Sequence, residues 1–188
     1  NLPENVQKLL FKNKKIKPGS YYSKTDIVLE TNETIDILQN NGYMNARLKQ
    51  DSSTIVKKYP DKNNNISISV FIEGADTLYY FGKTNIEIPD NKYGVDTDIL
   101  KEEILYKEGD LYSKERKLSS ESGMTKIPIV QSARISTGNI TGNKVDFDAE
   151  IILNNKTEIG PYGEATVIDN TFYAGGGVQY SNKYFLSG

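Results

Sequence analysis

The sequence predicts an α+β fold: two tandem units, each ordered strand, helix, helix, strand, strand, followed by a separate pair of strands. Three observations predict it. The octapeptide Lys17-Pro18-Gly19-Ser20-Tyr21-Tyr22-Ser23-Lys24 returns ninety residues later as Lys107-Glu108-Gly109-Asp110-Leu111-Tyr112-Ser113-Lys114, with five of eight positions identical. Its surroundings recur in the same order. An apolar pair stands ahead of each copy (Leu9-Leu10, Ile99-Leu100), a helical stretch ending near a glycine follows (Gly42, Gly123), and Ala-Arg-Leu or Ala-Arg-Ile comes next (Ala46 to Leu48, Ala133 to Ile135). Each unit then closes on period-two alternation, Ile66, Ile68, Val70, Ile72 in one and Val145, Phe147, Ala149, Ile151, Leu153 in the other. That is the pattern of a sheet with one buried face. From Thr157 onward the chain turns polar and rich in glycine and tyrosine. The predicted boundaries are 1–75, 76–156 and 157–188, and the first two spans have a common domain size.

Pro3 and Glu4 suit the first turn of a short helix with Val6, Leu9 and Leu10 as its apolar stripe. Lys12, Lys14, Lys15 and Lys17 follow, and Pro18-Gly19 breaks the chain. This basic run reads as a solvated helix end, favourable against the helix dipole, or as a patch for anionic lipid or a partner. Ser23 with Asp26 starts a second helix in capping-box fashion, striped by Val28, Thr31, Ile35 and Leu38 and stopped at Asn40-Asn41-Gly42. Met44, Ala46 and Leu48 then alternate with Asn45, Arg47 and Lys49, a strand expected to form a long-looped hairpin with Ile66 to Glu73.

The second unit opens with a strand-like run from Leu78 to Ile88, for which the first has no counterpart; that opening strand is expected upstream of Asn1. Asp96-Thr97-Asp98 caps a helix with Ile99, Leu100 and Ile104 inward. Ser113 starts the next helix, in which Ser119-Ser120-Glu121-Ser122-Gly123 carries no apolar stripe, so packing must hold it. Ala133 and Ile135 point inward from the following strand, and Gly138 to Asn143 turns the chain into Val145 to Leu153.

Composition narrows the function. A net charge of −2 and a pI near 5.4 show no basic face for nucleic acid. The chain has no cysteine, which excludes disulfides and thiolate metal sites, and no histidine, which removes the commonest general base and every Ser-His or Cys-His arrangement. No apolar run is long enough for a transmembrane helix. A start at Asn1 with no signal peptide suggests a processed or trimmed chain. Asp61-x-Asn63-x-Asn65 mimics the opening of a calcium loop, but Ile66 and Ile72 stand where that loop needs glycine and a bidentate glutamate. Glu102 and Glu103 are adjacent on a helix and point about 100° apart, so they do not converge on one bond. Gly138 and Gly142 lack the Lys-Ser/Thr of a phosphate loop. No catalytic residue, cofactor or metal site is expected.

The element order resembles the POTRA domain, the periplasmic module ahead of the β-barrel in outer-membrane assembly and translocation proteins of the BamA and TamA type. Gly19 to Ser23 and Gly109 to Ser113 match its glycine before the second helix, and Asn41-Gly42-Tyr43 matches its step into the middle strand. The second unit departs from that step, with Lys126-Ile127-Pro128-Ile129-Val130 in its place. Residues 158–170 and 173–182 look like the first barrel strands that follow the last such domain. Two strands cannot close a barrel, which needs about eight or more, so they start a barrel that continues beyond Gly188 or serve as a tail.

The resemblance implies a non-enzymatic scaffold at the outer membrane, with this region in the periplasm. Its partners would be unfolded outer-membrane proteins or secreted polypeptide, accessory periplasmic proteins or lipoproteins, and the membrane through a barrel. Two other readings are the pore protein of two-partner secretion and the POTRA linker of a lipase autotransporter. By resemblance, the partner-binding edges are Met44, Ala46, Arg47, Leu48 and Lys49 in the first unit and Gln131, Ala133, Arg134 and Ile135 in the second. An open edge adds a client strand through its backbone groups; the alternative is that Arg47, Lys49 and Arg134 merely blunt it.

Overall fold

In the computed structural model, which describes residues 2–12, 14–17, 19–50, 54–59, 65–155 and 157–182, the first unit opens with α1 (Glu4–Lys12). Val6 is its buried residue, and Leu10 packs beside it. Helix α2 (Lys24–Asn40) starts where Ser23 caps it, the side chain accepting from the Asp26 N–H at 3.2 Å. It stops where the Asn41 and Tyr43 N–H groups both turn back onto the Leu38 carbonyl, at 3.0 and 3.1 Å, a closure that puts Gly42 at φ +93°. Its buried face is Ile27, Thr31 and Leu38; Val28 is 51% exposed, so the predicted stripe is off by one residue at its start.

The hairpin of this unit differs from the expectation. The Ala46 N–H donates to the Tyr43 carbonyl at 2.9 Å, which makes 43–46 a turn, and the chain joins a ladder only at β1 (Arg47–Leu48), opposite β4 (Ile72–Glu73). A strand that the sequence reading missed, β2 (Thr54–Tyr59), pairs antiparallel with β3 (Asn65–Val70). Leu48 faces Ile72, the Lys49 N–H donates to the Phe71 carbonyl, and Thr54 faces Val70. Asp61 and Asn63 of the calcium-like loop, and Pro18 of the repeat, lie outside the described residues.

The second unit is complete. Strand β5 (Tyr80–Glu87) leads through α3 (Thr97–Glu102) and α4 (Lys114–Thr125) to β6 (Val130–Thr141) and β7 (Lys144–Leu153), and the sheet order is β5-β7-β6. β5 runs parallel to β7, and β6 runs antiparallel to it. Gly138 to Thr141 continues β6 instead of turning, and the turn narrows to Gly142-Asn143, with Gly142 at φ +63°. Val145, Phe147, Ala149 and Ile151 are at most 1% exposed, beneath Phe81, Leu100 and Met124. Four aromatic rings meet there, with Phe81 stacked 3.7 Å from Tyr106 and tilted at 5.3 and 5.4 Å from Tyr112 and Phe147. Ser120 explains how α4 is held without a stripe. Wholly buried, its hydroxyl donates to the Arg116 carbonyl and accepts from the Leu105 N–H, binding the α3–α4 connection to the helix.

The two units interlock. Met44 packs on the core of the second, and Leu78 packs on that of the first. Asn40, at the end of α2, accepts from the Glu115 N–H at 2.7 Å and so satisfies one of the open donors at the start of α4. Lys114 reaches Asp36 at 2.8 Å, and the Tyr79 N–H donates to the Gly42 carbonyl at 2.8 Å. Beyond residues 154–156, β8 (Thr157–Ile168) and β9 (Thr171–Asn182) pair only with each other, through a two-residue turn with Asp169 and Asn170 both at positive φ, the backbone of a type I′ hairpin.

Burial pushes the phenol pKa of both Tyr106 and Tyr112 above its ordinary 10.0. The unfolded chain therefore ionises first, and their stabilisation, full below pH 10, is lost as pH rises through the raised values. The melting temperature of the second unit should fall steeply above pH 10, and less steeply in Tyr106→Phe/Tyr112→Phe, in scans followed by circular dichroism. An equally steep fall in the double variant would assign the effect to other groups.

Candidate functional site

The exposed sheet edges are the surfaces that the sequence reading marks for partners. In the second unit β6 is bordered, among the described residues, by β7 on one side only. Opposite residues of an antiparallel pair alternate between bonding the partner strand and pointing away from it. Ile135, facing Ala149, points away: its N–H donates to Glu121 Oε1 at 2.6 Å, and its carbonyl accepts from Lys117 Nζ at 2.8 Å. Lys117 and Glu121 stand one turn apart on α4, 3.2 Å from each other, and both side chains are 19% exposed. One donor and one acceptor of the edge are thus occupied by the helix of the same unit. Ala133 and Thr137, facing Ile151 and Phe147, share the parity of Ile135 and flank this clamp.

The other residues of the second set sit as follows. Gln131 and Arg134 are exposed, Arg134 facing Glu150 across the ladder; Ala133 is half-buried, and the Ile135 side chain is buried. In the first set, Met44 lies in a turn before the ladder and Ala46 is fully buried against Val6, Leu38 and Tyr43. The Ala46 carbonyl accepts from Gln39 Nε2 at 2.9 Å. Arg47 pairs with Glu73 at 2.8 Å, Leu48 faces Ile72, and the Lys49 N–H donates to the Phe71 carbonyl at 3.0 Å. The two sets belong to separate sheets, so they form two surfaces, not one site. Lys117, Glu121 and Gln39 were not singled out from the sequence. The available signal was an i,i+4 Lys-Glu pair on a helix with no apolar reason to dock.

The chain is similar to BamA from Haemophilus ducreyi lacking POTRA domains 1–3, at a TM-score of 0.67 and 18% identity over 87% of this chain and 29% of that one. It is also similar to POTRA3–5 of Haemophilus influenzae BamA, at a TM-score of 0.57 and 15% identity over 79% of this chain and 54% of that one. The likeness establishes the fold, a POTRA-type α+β architecture, and the chain spans 29% and 54% of the lengths of these two structures. No family model matches the chain, nor does any curated protein by sequence.

Glu121→Ala should release the Ile135 amide. Its hydrogen exchange should accelerate sharply while that of Ser136, whose parity faces β7, keeps its protection; the expected stability cost is about 1–3 kcal/mol for a lost bond to a charged group. Unchanged exchange at Ile135 would mean that the clamp does not close the edge in solution.

Proposed function

From the POTRA fold, we propose that this chain is the periplasmic scaffold of an outer-membrane β-barrel assembly or translocation protein. The observation that carries the reading is the hairpin that follows the second unit. Its cross-strand register sorts the side chains into two unlike faces. One holds Ile159–Tyr180, Pro161–Val178, Ala165–Ala174 and Val167–Phe172, with Thr157–Asn182 and Gly163–Gly176; the other holds Glu158–Ser181, Gly160–Gln179, Glu164–Gly175 and Thr166–Tyr173, with Tyr162–Gly177 and Ile168–Thr171. Ile159, Val167, Phe172, Val178 and Tyr180 are 63–71% exposed, a cost in water that a lipid-facing position removes. Each strand has 12 residues, enough for the roughly 9–11 that a tilted barrel strand needs to cross a bilayer. A face that gathers these apolar pairs, opposite the one that holds both glutamates, supports a barrel start next to the units, and so an outer-membrane location with the units in the periplasm.

In this reading the protein binds and does no chemistry. Unfolded barrel strands, or accessory periplasmic proteins and lipoproteins, add to the open backbone groups of β6 at Ala133 and Thr137, on either side of the clamped Ile135. Backbone pairing is indifferent to most side chains, which suits a scaffold with many clients held weakly. The first-unit segment that the resemblance marks enters a ladder only at Arg47–Leu48 and offers less edge.

Proline at Ala133 tests this role, because it removes an outward N–H and leaves the ladder to β7 intact. Ala133→Pro should fold as the parent does and bind an extended barrel-strand peptide about tenfold more weakly or less, measured by fluorescence anisotropy. Undiminished binding by a folded Ala133→Pro protein would rule out capture at this edge. The hairpin is tested separately: Val178→Arg should abolish insertion of a full-length barrel into lipid vesicles, read by protease protection, and normal insertion would remove the lipid-facing assignment.

A further inference from the structure

Helix α4 touches both the first unit and the β6 edge, and little apolar packing fixes its first half. Its buried residues, Ser120 and Met124, lie in the second half, and Leu118, the one apolar residue of the first, is 46% exposed. Polar contacts hold the rest. Toward the first unit, Asn40 accepts from the Glu115 N–H at 2.7 Å, with Lys114 on Asp36 at 2.8 Å beside it. Toward its own unit, Arg116 reaches Asp110 at 2.9 Å and the Leu111 carbonyl at 3.1 Å, and Lys117 with Glu121 clamps Ile135.

The matching helix of the first unit is built otherwise. The repeat places Ile27 and Thr31 of α2 where α4 has Lys117 and Glu121, and both are buried. The first unit docks its helix by burial at these positions; the second substitutes charges that reach the edge of a strand. A helix frays from its end, where the first N–H groups find no partner within it. Asn40 supplies one such partner from another unit, and the turn it steadies is closed by the Lys117 N–H on the Ser113 carbonyl at 3.1 Å. Lys117 in turn stands 3.2 Å from Glu121. The Lys114–Asp36 pair is 39% and 55% exposed and so is screened, which leaves Asn40 as the stronger link between the units at this point.

We propose that the joint between the two units controls the β6 edge through α4. While Asn40 holds the helix start, Lys117 and Glu121 close the edge at Ile135. When the joint opens, the first turn loosens and the clamp releases, so that the N–H and carbonyl of Ile135 join those of Ala133 and Thr137 in one continuous run of open groups. A partner that separates the units thereby readies the edge, and a strand that displaces the clamp loosens the joint by the same factor. What the open edge receives rests on the strand capture proposed above; the coupling itself does not.

Amide hydrogen exchange on the 188-residue chain, followed by NMR, tests the coupling. Asn40→Ala should accelerate exchange at Ile135 about fivefold or more, while Ser136, whose parity faces β7, keeps its protection. Asn40→Asp retains an acceptor for the Glu115 N–H and should leave Ile135 as in the parent. In the reverse direction, Glu121→Ala should accelerate the Glu115 amide. Unchanged exchange at Ile135 in Asn40→Ala would overturn the coupling, and so would equal acceleration at Ile135 and Ser136, the mark of a unit that unfolds as a whole. Acceleration in Asn40→Asp as large as in Asn40→Ala would overturn the part given to the cap. An extended barrel-strand peptide then separates the two proposals: Asn40→Ala should bind it about fivefold more tightly by fluorescence anisotropy. Faster exchange at Ile135 without tighter binding would overturn strand capture at β6 and leave the coupling standing.

Discussion

The second unit depends on one ring. Phe81 projects from β5 into the space between sheet and helices and touches Tyr106, Tyr112 and Phe147. It thereby packs the sheet against the connection between α3 and α4, where the backbone groups of Phe81 also bond Gly109 and Asp110. Aromatic pairs add about 0.5–1.5 kcal/mol each beyond the area they bury, and this ring makes three. The visible ion pairs do not compete: Lys8–Glu4, Lys101–Asp98 and Lys144–Glu108 are at least half exposed on both sides, where water and salt screen most of their attraction. What organises the unit is the filling of one apolar space, and the fully buried residues of β7 follow from it.

Where a residue acts through its neighbours in sequence, the sequence announced it. Ser23 and Ser113 cap their helices as read, each accepting from the N–H three residues on, and the alternation of Val145 to Ile151 maps onto a buried face. β2 escaped because period-two patterning reports a buried face, and all six of its residues are exposed; its β-branched Thr54-Ile55-Val56 run was the remaining signal. α4 showed no stripe because polar contacts hold it, Ser120 toward Leu105 and Lys117 with Glu121 toward Ile135. Hydrophobic periodicity is blind to such contacts. The location of the β6 edge was legible from repeat order and family resemblance, but its clamp was not, since Glu121 and Ile135 meet only through the fold.

The two units manage their sheet edges by different means. The second spends a partly buried ion pair on the backbone of Ile135. The first shortens its ladder to Arg47–Leu48, covers the Ala46 carbonyl with Gln39 and slips register between Leu48 and Thr54. Both devices keep a sheet from pairing along its whole length, the hazard every open edge carries. A short exposed stretch also limits pairing between copies of the chain, which a long flat edge would invite.

The parallel pairing of β5 with β7 also fixes an order in time. β6 and β7 are joined by the two-residue Gly142-Asn143 turn and can zip together as soon as both exist, whereas Tyr80 finds Lys144 only after about sixty intervening residues have been made. Closing so long a loop is slow relative to a local hairpin. A chain emerging from its N-terminus therefore carries β5 without its partner strand while about sixty further residues are made, and Phe81 waits for Phe147. The core shared by β5 and β7 therefore closes only when the last strand of the unit arrives.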